Sequence, residues 1–298
     1  MTRALAIVNP AAGGGTARDE VEAVLDLLRE RFDTIDVVET KLEHPTATEL
    51  GERAVAERYE VAIAAGGDGT VGGVARALVG SDVTLGILPF GTFMNIARAL
   101  EIPRDDPHAA AMVIASSTMR RVDVGEVAGQ VFFEAAGIGL DAHAFSAGRA
   151  IQRGERAIAV AALAAFVRRR SVRVKIEIDG RARWQRILQA VVSNGPWYGW
   201  GFEVAPGADV DDGTLDLVIF GDSKWRVLRE LAAAAIDRDR PARGRRYRGR
   251  RITFSAAREV PVHADGVVVG TLPQTFTVRP NALRVYAPQG EVAVVKGL

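Results

Sequence analysis

Cysteine is absent from the 298 residues, which excludes disulfides, thiolate metal centres and cysteine nucleophiles and fits a reducing interior. Histidine is scarce: His44, His108, His143 and His263 form no pair at ligand spacing, which argues against a zinc site. Long apolar runs are missing too. The longest, residues 157–167, has 11 residues, against the ~20 needed to cross a bilayer. The opening MTRALAIVNPAAGGG has too short an apolar stretch, and turns glycine-rich too soon, for a secretory leader. A large charge of one sign is also lacking: the net charge of +1 disfavours a dedicated nucleic-acid binder. What is present, 48% apolar and 25% charged residues, is the composition of a soluble globular protein long enough for two domains. The expectation is a cytoplasmic protein whose membrane contact, if any, is peripheral.

The first 120 or so residues alternate strand and helix. Residues 4–8, 35–38, 61–65 and 83–88 read as short buried strands. Between the first two, Val21, Val24, Leu25, Leu28 and Phe32 recur on one face of a helix. Leu50, Ala54 and Val55 mark a second helix, and Val71, Val74 and Leu78 a third. This rhythm implies a mostly parallel sheet covered by helices, with ligands bound beyond the carboxyl ends of the strands. From about Val122 the pattern changes. Val172, Val174, Ile176 and Ile178 alternate with charged residues, the period of a half-buried antiparallel strand. Asp179-Gly180 then offers a hairpin turn into residues 187–192. Further strands are expected at residues 215–220, 260–263, 274–278 and 282–286, with helices near 155–168 and 224–236. The second half therefore reads as a β-sandwich, and the boundary is placed at residue 122.

Three glycine-rich turns follow strands and belong at one sheet edge: Asn9-Pro10 with Gly13-Gly14-Gly15, Gly66-Gly67-Asp68-Gly69-Thr70, and Pro89-Phe90-Gly91-Thr92. Glycines let the backbone approach phosphate oxygens, and the helix after Gly67 presents unpaired N–H groups to an anion. Within this loop Asp68 is suited to hold a metal-bound water or orient phosphates, and Thr70 offers a hydroxyl. No Gly-Lys-Ser/Thr follows, so the loop is not of the Walker type. Asp209-Val210-Asp211-Asp212-Gly213 reads either as a hard-cation site or as an acidic hairpin turn facing solvent. From its neighbours alone Asp123 reads as an exposed strand residue or as a local ion pair with Arg121.

In order along the chain, NPAAGGG, GGDGTV, LGILPFGT…AR, RRVDVG, NG…G, APGADVDDGTLD and ADG resemble the bacterial diacylglycerol kinase family of lipid kinases, relatives of the sphingosine and ceramide kinases. The resemblance covers essentially the whole chain. It implies an N-terminal α/β domain (residues 1–122) like those of NAD kinase and 6-phosphofructokinase, to which residues 287–298 return. It further implies a lipid-binding β-sandwich (residues 123–286), ATP and Mg²⁺ as cofactors, and nucleotide bound in the interdomain cleft. Nucleotide contacts carried over by position fall on Asn9, Thr40, Gly66, Gly67, Asp68, Gly69, Thr70, Val71, Gly72 and Thr92. The family's metal loop places carboxylates at Asp209 and Asp212 and a backbone carbonyl at Thr214, and Asp123 matches an acidic position near its active site.

The chain departs from the family pattern at three places. Gly72-Gly73 stands where the family has Asn-Glu after GGDGT-x. Met94-Asn95 stands where Asn-Asp is usual. Val267 replaces the glutamate of an Asp-Gly-Glu triplet, the family's base for the lipid hydroxyl, and valine accepts no proton. The sequence reading moves that role to Asp265 or Asp68, giving Asp68, Asp123 and Asp265 as catalytic candidates. Two alternatives stand beside the lipid kinase: an NAD kinase-like enzyme, and a weakly catalytic nucleotide- or lipid-binding relative. For the membrane, residues 168–170 and 238–251 offer arginine-rich segments, and Trp197, Tyr198 and Trp200 belong either to an acyl-chain pocket or to a domain-interface core. A homodimer is left open.

Overall fold

The computed structural model describes residues 2–15, 17–139, 171–199, 201–221, 223 and 244–289. The sequence-expected helices near 155–168 and 224–236, the arginines of 168–170 and 238–243, and Trp200 lie outside the described residues. The chain divides into two units, residues 1–122 with 281–298, and residues 123–280. Among the described residues no helix is long and apolar enough to cross a membrane.

The first unit alternates β1 (Arg3–Val8), α1 (Ala17–Leu28), β2 (Thr34–Glu39), α2 (Ala47–Ala56), β3 (Val61–Gly66), α3 (Asp68–Leu78), β4 (Thr84–Pro89), α4 (Asn95–Ala99) and α5 (Pro107–Ala115). Its strands run in parallel in the order β2-β1-β3-β4. Every residue of β3 and β4 is buried, which is why they read as unbroken apolar runs: helices on both faces of a parallel sheet leave no solvated side. Val24, Leu25 and Leu28 form the buried stripe of α1. Thr46 opens α2 with a capping box, donating its N–H to the Glu49 carboxylate and accepting from the Glu49 N–H. Helices α2 and α3 approach closely: a Cβ on Gly73 would lie 2.9 Å from the Ala47 Cβ. At Gly73, the second residue of the first departure from the family motif, glycine leaves the room that α2 takes, whereas a Cβ on Gly72 would make only an ordinary contact with Ile96 at 3.7 Å.

The second unit is antiparallel. It comprises β5 (Met119–Val127), which begins in the first unit, β6 (Gln130–Phe132), β7 (Ala135–Ile138), β8 (Val172–Ile178), β9 (Arg181–Ile187), β10 (Gln189–Ser193), β11 (Trp197–Tyr198), β12 (Phe202–Glu203), β13 (Leu215–Phe220), β14 (Arg245–Gly249), β15 (Arg251–Ala256), β16 (Pro261–Ala264), β17 (Val267–Thr271) and most of β18 (Gln274–Tyr286). One sheet runs β14-β13-β10-β7-β16-β17, and the strands β18, β15, β8 and β9 form the other. Val192, Leu215, Leu217 and Val262 from the first sheet meet Val174, Ile176, Phe254 and Phe276 from the second in one apolar core. Phe254 and Phe276 pack edge to face at 5.5 Å.

Two expectations change in detail. Asp179 and Gly180 have φ of 48° and 83°, the positive pair of a two-residue hairpin. The strand after that turn is β9, however, with the polar sequence RARWQRI, and the expected strand at 187–192 becomes β10 in the opposite sheet. The two strands expected at 274–278 and 282–286 are one, β18. Pro280, which cannot donate to a ladder, falls where β18 changes partner: Thr277 faces Arg251 of β15, and Val285 faces Leu85 of β4.

Candidate functional site

In the first unit the strand ends are stitched together by backbone bonds. Thr40 donates its N–H to Val8 (2.8 Å), Asn9 to Ala65 (2.9 Å), Phe90 to Gly66 (3.0 Å) and Gly13 to Phe90 (2.9 Å). This ladder brings Asn9, Thr40, the GGDGT turn and the PFGT turn to one edge, as parallel strand order demands. The Asn9 amide donates to Thr70 Oγ1 at 3.1 Å, and its Oδ1 accepts from the Ala11 N–H at 3.0 Å. A Cβ on Gly91 would fall 2.7 Å from the Gly67 Cα and 2.6 Å from Met94 Sδ, so the two loops touch through glycine. Helix α3 begins with no side-chain cap at Gly67. Gly69 in its first turn is exposed, and its missing Cβ would meet nothing within 4 Å. An uncapped helix start facing open space is suited to an anion. Thr92 is exposed beside this edge, whereas Val71 and Gly72 are buried in the body of α3.

Asp68 has a role that the sequence did not show. Its Oδ1 accepts the Ile96 N–H at 3.1 Å, so the carboxylate ties α3 to the start of α4. Burial pushes its pKa above the ordinary carboxylate value, and the N–H groups of Ile96, Asn95 and Met94 pull against that shift. Met94 stands at φ 49° just before α4, a left-handed step that turns these N–H groups toward Asp68.

The second unit gathers the remaining candidates. Asp123 is 2% exposed, neither a surface residue nor a simple partner of Arg121. Its Oδ2 accepts the Gly213 N–H at 2.6 Å, and its own N–H binds the Val210 carbonyl at 2.7 Å. Asp123 therefore braces the acidic loop from beneath. The Asn194 amide donates to the Asp123 carbonyl (3.0 Å), and the Asn194 N–H to the Glu134 carbonyl (3.0 Å). Asp265 and Gly266, with φ of 44° and 80°, form the tight turn between β16 and β17. The Asp265 carboxylate accepts the N–H groups of Phe133 (2.9 Å), Glu134 (3.1 Å) and Ala135 (3.3 Å). Three donors on one carboxylate make it a clamp on the β6–β7 connection. Val267 is 64% exposed on β17.

The acidic loop is arranged for donors. Asp212 Oδ1 accepts from the Thr214 N–H (2.9 Å) and hydroxyl (2.6 Å), and Oδ2 faces the Arg248 guanidinium at 3.2 Å. A cation at Asp212 would have to displace Arg248, so the residues do not fit Mg²⁺ in this arrangement. Among the described residues no cluster of three acidic, histidine or cysteine side chains is placed to hold a metal. The described arginines of 238–251 begin in β14 and β15. Arg246 and Arg248 pair with Asp216, whose side chain is 5% exposed.

Sequence reasoning missed Glu134 and underused Asn194. Asn194 lay in view in the NG motif, and a buried polar residue at a strand end was the available signal. Glu134 carried none, because its place depends on contacts 131 residues away in sequence.

The first unit is a parallel α/β layer with an uncapped glycine-rich helix start, and an antiparallel sandwich follows it. The diacylglycerol kinase catalytic domain family matches residues 3–127, and the YegS C-terminal NAD kinase beta sandwich-like domain matches residues 134–287. Diacylglycerol kinase of Bacillus subtilis is 30% identical, covering 97% of each chain. A probable YegS-like lipid kinase of Pseudomonas fluorescens is 32% identical, covering 82% of each. A putative diacylglycerol kinase from Bacillus anthracis shares the fold, with a TM-score of 0.78 at 24% identity over 97% of this chain and 98% of its own. This chain belongs to the diacylglycerol kinase family of lipid kinases.

Proposed function

We propose that this chain transfers the γ-phosphoryl group of ATP to the hydroxyl of a diacylglycerol-like lipid, with Mg²⁺ entering as the counter-ion of the triphosphate. The observation that carries this reading is the bare N-terminus of α3 beside the exposed Gly69, with Asn9 and Thr70 fixing the loop. Backbone N–H groups there take phosphate oxygens, and the helix dipole favours their charge. Asp68 holds the neighbouring loop, Asp123 braces the acidic loop, and Asp265 fixes the β6–β7 connection; in this proposal all three act by positioning. Phosphoryl transfer depends mostly on such positioning. The relatives' names supply the lipid acceptor. Membrane contact through the arginine-rich segments and self-association remain part of the same proposal.

A second reading, nucleotide binding with slow turnover, is favoured by Val267 on β17 and by the three donors that occupy Asp265. Loss of a general base slows a reaction by ~10²–10⁴-fold without removing substrate binding. Purified protein given labelled ATP, Mg²⁺ and a panel of diacylglycerol, sphingosine and NAD separates the readings. Labelled lipid supports the kinase, labelled NAD alone overturns it, and nucleotide binding without product supports the second reading. The Val267→Glu variant, at an exposed site that accommodates the change, is expected to raise kcat by about 10²-fold or more, the range of general-base help. An unchanged kcat would show that position 267 does not limit turnover.

A further inference from the structure

Among the described residues strand β9 is an edge of its sheet, and β8 lies beside it. In their register Arg173 faces Arg186 and Lys175 faces Trp184. These four side chains share the face turned away from the core, because the alternating Val174 and Ile176 are fully buried on the other side. Trp184 is 57% exposed, and the Arg173 guanidinium lies 5.0 Å from its ring centroid. Lys175 reaches Glu177 at 3.8 Å. Arg173 and Arg186 have no acidic partner among the described residues. A shallow cavity of about 390 Å³ is lined by Arg173, Trp184, Gln185 and Arg186.

Two features of this face cost stability in the isolated protein. Like charges directly opposite each other on paired strands repel, and an exposed indole leaves a large apolar area in water. Cations guard an edge strand against pairing with other chains, which accounts for the arginines but not for the tryptophan, since an apolar ring invites association. An anionic bilayer relieves both costs together. Headgroup phosphates accept from the two guanidiniums and quench their repulsion, and an indole is favoured at the depth of the headgroups.

We propose that the outer face of β8 and β9, centred on Trp184 between Arg173, Lys175 and Arg186, is a docking surface for an anionic lipid bilayer. This deepens the lipid kinase reading and rests on it for the presence of a membrane substrate, but its test does not require turnover. Full-length protein is mixed with vesicles of phosphatidylcholine alone or containing phosphatidylglycerol, and binding is read by sedimentation. The Trp184 emission is obtained by difference from a Trp184→Phe variant. Binding to the anionic vesicles alone is expected, with a blue-shifted Trp184 emission and a loss of binding at high salt. The Arg173→Gln/Arg186→Gln variant should bind about 30-fold more weakly, from ~1 kcal/mol for each basic residue near the surface. Both variants should melt at or slightly above the wild-type temperature, and both should keep the kcat on a short-chain soluble diacylglycerol. Equal vesicle binding by wild type and the double variant would overturn the proposal, as would an unshifted Trp184 emission. An equal emission shift with millimolar inorganic phosphate alone would assign the face to soluble anions, and retention on RNA but not on vesicles would assign it to nucleic acid. If no lipid is phosphorylated yet anionic vesicles bind through Trp184, the kinase reading fails and the docking surface stands.

Discussion

Two glycines of the neighbouring GGDGT and PFGT loops are expected to separate phosphate binding from folding. At Gly91 a methyl group meets the Gly67 backbone at 2.7 Å, so Gly91→Ala should destabilise the first unit by about 1–3 kcal/mol, the usual effect of overpacking. At Gly69 a methyl group meets nothing, and alanine in a helical turn is favourable. Gly69→Ala should therefore keep or raise the melting temperature while weakening ATP binding, because it fills the space a phosphate would enter. Melting curves and calorimetric titration with ATP check both, and full ATP affinity in Gly69→Ala would remove this turn from the phosphate site. Asp68 gives a pH signature. Its folded pKa is raised above the ordinary 3.8 by burial, so between these values the folded state holds more proton than the unfolded state. Its contribution to stability is then greatest below about pH 3.8 and falls as pH rises through the raised pKa. Asp68→Asn carries no charge to bury. It should gain on the wild type in melting temperature from pH 4 to pH 7, and a difference independent of pH would contradict the assignment.

At the scale of elements, the turn between β16 and β17 is a fastener, and its loss should be felt in stability before chemistry. Asp265→Ala strands three backbone N–H groups and puts alanine at φ 44°. With ~1–3 kcal/mol for leaving a buried donor unpaired, a loss of about 2–4 kcal/mol is expected in urea titration. Asp265→Asn keeps one acceptor oxygen and tolerates the left-handed conformation, so its loss should be smaller. Retained kcat per folded molecule in Asp265→Asn would leave Asp265 a holding role, whereas a large fall in kcat with unchanged stability would restore it as a base. Which elements the sequence announced follows from what holds each one. The parallel strands and the 172–178 strand were legible because burial on two faces or one leaves a direct apolar pattern. Strand β14, RRYRG, was not: its place comes from pairing with β13 and from arginines meeting Asp216, and locally it resembles a basic loop. Strand β9 hid for the same reason. The gathering of the glycine-rich loops at one edge could be read from three turns, whereas the Asp265 clamp and the buried Asp123 rest on partners roughly 90 to 130 residues distant.

For the whole molecule, the last described residues complete the first unit. Val285 of β18 lies against β4, Gly80 donates to the Ala282 carbonyl, Ala287 donates to the Thr118 carbonyl, and Arg284 pairs with Asp82 at 2.6 Å. A chain ending at Pro280 should therefore lose more than a tail. The edge of β4 would be open, and an unpaired buried strand promotes association. Such a chain is expected to melt at least several degrees below the full-length protein and to aggregate. Melting indistinguishable from that of the full-length protein would mean that the closing half of β18 is dispensable to the first unit.

The placement of β18 also imposes an order of events during synthesis. Its closing residues leave the ribosome only after the entire stretch 123–280 that separates the two parts of the first unit. At ~5–20 residues per second this stretch takes on the order of ten seconds to make. Throughout that interval the nascent N-terminal sheet has β4 without its final neighbour, so the unit that begins first is the later one to close.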